Sequence, residues 1–93
     1  MKLNQSSVTT SYYSVKIINN ITDFVGEIRI MFPDLEKHCG IFIGDSTSSV
    51  VGKVRRCTGY PFDIGDKESL IVYMNNMLHW MKENKEMYYL WIL

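Results

Sequence analysis

Four side chains of this sequence could ligate a soft metal ion: His38, Cys39, Cys57 and His79. Structural zinc sites usually announce themselves by a C-x-x-C pair, and the chain has none. No metal and no other cofactor is therefore expected. Asp63 and Asp66 flank Gly65 and could in principle serve a glycoside or phosphate site. Their setting, Gly59-Tyr60-Pro61-Phe62-Asp63-Ile64-Gly65, reads as a solvated loop feeding a helix cap. No G-x-S-x-G, no phosphate-binding P-loop and no G-x-G-x-x-G occurs. No catalytic residues are expected, and the chain reads as a non-enzyme.

The strongest local feature is Lys53-Val54-Arg55-Arg56. Val50 to Thr58 is rich in β-branched residues and is expected to form a strand. Alternation then places Lys53 and Arg55 on one face and Val54 on the other. The carboxyl-terminal run Met87-Tyr88-Tyr89-Leu90-Trp91-Ile92-Leu93 has the same composition. As a strand it turns Tyr88, Leu90 and Ile92 inward and Tyr89 and Trp91 outward. Lys16, on a first strand over residues 8–18, would join them. The expected partner-binding surface is thus Lys16, Lys53, Arg55, Arg56, Tyr89 and Trp91. Such a face can stack bases and hold phosphates, and it equally suits a protein partner, for which Tyr, Trp and Arg are the usual anchors.

The remaining elements must present that surface. Asn20 is a plausible cap for a helix carrying Ile21, Phe24, Val25, Ile28, Phe32 and Leu35 at helical spacing, ended near Phe32 by Pro33. Ile28, Ile30 and Phe32 also alternate as a strand would, so helix and strand compete over residues 21–32. The apolar run Cys39 to Gly44, the turn residues Asp45 to Ser49 and the run from Val50 suggest a hairpin that could bring Cys39 near Cys57. Asp66 is the expected cap of a second helix over about residues 67–84. Its stripe is Leu70, Met74, Met77, Leu78 and Met81, and a methionine stripe usually fills a core.

The resulting order, βαββαβ, predicts an α+β ferredoxin-like sandwich: four antiparallel strands with two helices on one face. Residues 1–7 are expected to be a flexible arm and residues 8–93 a single domain. The RNA-recognition motif shares this topology, but its third strand carries aromatics where this chain has Val51-Gly52-Lys53-Val54-Arg55-Arg56. No resemblance to that family follows.

Ninety-three residues, 46% of them apolar, support one modest core. Ten basic and ten acidic residues cancel, which argues against bulk electrostatic attraction to nucleic acid. Met1-Lys2-Leu3-Asn4-Gln5 leads into polar residues rather than the apolar segment of a secretion signal. No run approaches the roughly 20 apolar residues of a membrane span. The expected compartment is the cytoplasm, with both cysteines reduced.

The leading functional expectation is a small binding protein that docks on a macromolecule, most naturally a protein, and inhibits or modulates it. Anti-CRISPR proteins and other phage-encoded inhibitors, and toxin-immunity proteins, are chains of this type, though no motif links this one to them. The alternative is a single-stranded nucleic-acid-binding module using the open sheet face. A homodimer paired through the C-terminal edge strand is the further partner reading.

Overall fold

The computed structural model describes residues 17–93. They form α1 (Ile21–Met31), α2 (Leu35–Cys39), α3 (Thr47–Thr58), α4 (Leu70–Glu83) and α5 (Tyr88–Trp91), with a 3-10 turn, Lys85–Met87, between the last two. No strand occurs among the described residues. The expected ferredoxin-like sheet is therefore corrected to a helical domain. The expected arm 1–7 and residues 8–16 of the expected first strand lie outside the described residues.

The α1 helix follows its pattern. Asn20 Oδ1 accepts from the Asp23 N–H at 2.9 Å and caps the first turn. Phe24 and Ile28 are fully buried, and Phe32 and Leu35 continue the apolar stripe past Pro33. Ile30 is exposed, which settles the competition in favour of the helix. The α4 helix starts three residues later than expected. Ser69, not Asp66, caps it, accepting from the Val72 N–H at 3.1 Å. Its stripe packs as expected: Met74, Met77, Leu78 and Met81 are buried.

The α3 helix overturns the hairpin. Val50, Val51, Val54, Cys57 and Thr58 recur at helical spacing, and all but the half-buried Cys57 are buried against the core. Ser46 Oγ accepts from the Ser49 N–H at 3.1 Å to start the helix. Gly59, at φ 75°, ends it by donating its N–H to Arg55 O. β-Branched residues have only a weak strand preference, and one mostly apolar helical face packed against α2, α4 and α5 outweighs it.

The C-terminal run is likewise a helical turn. Helical period brings Tyr88, Trp91 and Ile92 to one side, where all three pack on the core. Tyr89 and Leu90 turn outward. The expected inward Leu90 and outward Trp91 are thus exchanged, because the side chains repeat every 3.6 residues rather than every two. The edge strand that was to pair two copies is absent with them. Trp91 lies 5.5 Å from Phe32 and stacks on Trp80 at 5.9 Å between ring centres.

Trp91→Ala should therefore unfold the domain at markedly lower temperature. Removing a large, mostly buried aromatic costs on the order of 3 kcal/mol, a drop of well over 8 °C for a domain this small. Tyr89→Ala should stay within about 0.5 kcal/mol. Circular dichroism melts of the two variants check the inversion directly.

Candidate functional site

The first two turns of α3 form a ridge with a cleft on each side. Val50 lines one cleft with Ile21, Val25, Ile41 and the loop Phe42-Ile43-Gly44-Asp45; its volume is about 200 Å³. Val51 lines the other with Leu70, Tyr73, Ile64, Arg55 and Asp63, about 460 Å³. Ser48 and Gly52 also line this second cleft, and both are small. Four large apolar side chains stand exposed on the two flanking loops. Phe42 is 69% and Ile43 fully exposed on one; Phe62 is 58% and Ile64 44% exposed on the other.

The first loop is a tight turn. The Asp45 N–H donates to Phe42 O at 3.1 Å, and Gly44, at φ 95°, takes the position that disfavours any side chain. Asp45 Oδ2 accepts from the Phe42 N–H at 2.9 Å and from Lys53 Nζ at 2.9 Å. Lys53 Nζ also donates to Gly40 O at 2.8 Å and sits 5.1 Å above the Phe42 ring. Turn, ion pair and cation–ring contact together fix where Phe42 and Ile43 stand.

Arg55 fixes the second loop. Its Nε donates to Tyr60 O at 3.3 Å and its Nη2 pairs with Asp63 Oδ1 at 2.6 Å. The Tyr73 hydroxyl donates to Phe62 O. Phe62 stacks edge-on against Tyr60, 5.4 Å between centres. Burial raises the Tyr60 and Tyr73 hydroxyl pKa above the usual phenol value.

The six residues expected to form one surface are thus dispersed. Lys16 lies outside the described residues. Residues two apart lie on the same side of a strand but about 200° apart on a helix. Lys53 and Arg55 consequently reach to opposite flanks of α3, each into an internal ion pair. Arg56 is exposed and lines a third cleft with His38, Cys39, Cys57 and Trp91. Tyr89 is exposed on α5, and Trp91 is packed against the core. The site also includes Phe42, Ile43, Phe62 and Ile64, which the sequence reading left as strand or loop.

The other chemical candidates separate. His79 is exposed and sits 3.3 Å from Glu83. Among the described residues no three His, Cys, Asp or Glu side chains gather as a metal site would require. None of the described helices is long and apolar enough to cross a membrane. No family model matches the chain, and no curated protein and no solved structure matches it significantly.

The Asp45 carboxyl is held below the ordinary aspartate range, first by the Phe42 N–H and then by Lys53. A depressed carboxyl contributes stability above its unfolded value, near about 3.9, and that contribution is lost as pH falls through the lower folded value. NMR titration should therefore find Asp45 protonating below the ordinary range, with the Phe42 amide exchanging faster once it does. Lys53→Ala should return the carboxyl only partway, because the backbone donor remains. An Asp45 that titrates at the ordinary value would mean the turn is not held.

Proposed function

We propose that this chain is a small non-enzymatic binding protein that docks on a protein partner and modulates it. The observation that carries this reading is the pair of apolar loops clamped to the two flanks of α3. Exposed Phe and Ile side chains are costly for a small domain and usually mark an interaction surface when they cluster. Here both loops are braced from behind, so little conformational freedom is left to lose on binding. A ridge carrying Ser48 and Gly52 lets a partner's backbone or helix approach closely between them. Apolar anchors surrounded by braced polar groups are the usual anatomy of a protein interface.

The nucleic-acid alternative drew its support from an open sheet face mixing Lys, Arg, Tyr and Trp. The helical fold supplies no such face among the described residues. Lys53 and Arg55, its two central cations, are paired with Asp45 and Asp63.

The test is affinity capture with the immobilised chain, comparing wild type with Ile43→Asp and Phe62→Asp. A partner held by this surface should resist washing at high salt, unlike phosphate contacts, whose strength falls steeply with salt. Each substitution should weaken capture by about 30-fold or more, the hot-spot scale of roughly 2 kcal/mol, while the melt stays within a few degrees. Unchanged capture by both variants, with loss on Tyr89→Ala or Arg56→Ala, would place the docking surface elsewhere.

A further inference from the structure

The chain has two cysteines, and both lie among the described residues. Cys39 ends α2 and Cys57 stands in the last turn of α3. Both line a single cleft of about 280 Å³ with His38, Lys53, Arg56 and Trp91. An independent contact brings the two segments together. Lys53 Nζ donates to the carbonyl of Gly40, the residue after Cys39, at 2.8 Å. Lys53 and Cys57 are four apart on α3 and so occupy the same face. The end of α2 therefore lies over the face of α3 that carries Cys57. Both cysteines are half-buried where they line this cleft.

We propose that Cys39 and Cys57 form a dithiol site that closes to an intramolecular disulfide by exchange with a low-molecular-weight disulfide. The exposed Arg56 on its rim, with His38 beside it, suits an anionic oxidant such as glutathione disulfide. Burial, and then contact with Cys57, pushes the Cys39 thiol well above the usual range. Either cysteine can open the exchange, and the other then completes the bond. Where Cys57 opens it, its Sγ gives up its proton and attacks one sulfur of the oxidant; the oxidant's S–S bond breaks and one thiol leaves. Cys39 Sγ then gives up its proton and attacks Cys57 Sγ, and the second thiol leaves. The protein loses two hydrogens and two electrons, and the oxidant becomes two thiols.

The new bond would enclose the Phe42–Asp45 turn and the α3 ridge in one covalent loop. It would also end the weak donation from Cys57 Sγ to Trp91 O, now 3.8 Å. The site is independent of the docking proposal, because its readout is covalent.

The experiment equilibrates the folded, reduced chain in glutathione buffers of graded redox ratio, then alkylates and weighs it. The expected product is monomeric, two hydrogens lighter and free of glutathione, with Cys39 and Cys57 joined in its peptide map. It should form at ratios where the urea-unfolded chain remains largely reduced, and its melting temperature should rise by on the order of 10 °C. Cys39→Ser should instead retain a glutathione adduct on Cys57. Stable glutathione adducts on both cysteines of the wild type, disulfide-linked dimers, or closure no more favourable than in the unfolded chain would each overturn the proposal.

Discussion

A continuous line of aromatic rings holds this domain together. Phe62 meets Tyr60, Tyr60 meets Tyr73 and Trp80, Trp80 stacks on Trp91, and Trp91 meets Phe32, which meets Tyr88. Centre-to-centre distances run from 5.4 to 5.9 Å, within the range where such pairs add about 0.5–1.5 kcal/mol each beyond their burial. The rings come from four parts of the chain: the loop after α3, α4, the C-terminal helix and the end of α1. The line therefore ties the loop after α3 to α4, the C-terminal turn to α4, and both to the end of α1. The short C-terminal helix could not persist alone, since isolated helices below about 12 residues are marginal in water. Trp91 and Tyr88 give it something to lie against.

That dependence explains which parts of the fold were legible. The α4 stripe repeats every three to four residues over at least three turns, which a strand cannot mimic for that long, whereas over α1 the same period competes with the alternation of Ile28, Ile30 and Phe32. The α3 segment and the C-terminal run are rich in Val, Ile, Tyr and Trp, where local preference favours a strand. The helical solution wins there through contacts with residues distant in sequence, which composition does not carry. Some of the signal was nonetheless local. Ser46 before the first turn and Gly59 after the last are an N-cap and a left-handed C-cap in the expected places. Val50, Val51, Val54, Cys57 and Thr58 fit one helical face as well as the run fits an alternating strand. The proximity of Cys39 and Cys57 was anticipated through a hairpin and is realised instead through two helices.

The candidate site shows the same mixture. Lys53 and Arg55 were legible as important, but their role reversed with the period. On a strand they would have stood together as a binding face. On α3 they diverge and each anchors a loop. The exposed Phe42 and Ile43 were hidden because an apolar tripeptide reads as buried. The cue that corrects this is Gly44-Asp45 immediately after them, the turn residues that force the run to reverse direction.

The clamps also show how stability and function separate here. Exposed or half-exposed ion pairs such as Arg55–Asp63 and Arg29–Glu36 contribute little to folding, about 0–1 kcal/mol each. The aromatic line and the methionine stripe of α4 carry that load. The ion pairs of α3 instead restrict the two loops, and restriction matters most when a loop must meet a partner without first being ordered. The line of rings reaches the second loop directly, through Tyr60 and Phe62, so that loop is braced by the core itself. The first loop has no aromatic neighbour of that kind among the ring pairs. It depends on Asp45, Gly44 and Lys53, all polar or small, and its geometry is consequently the part of the surface most open to change by charge.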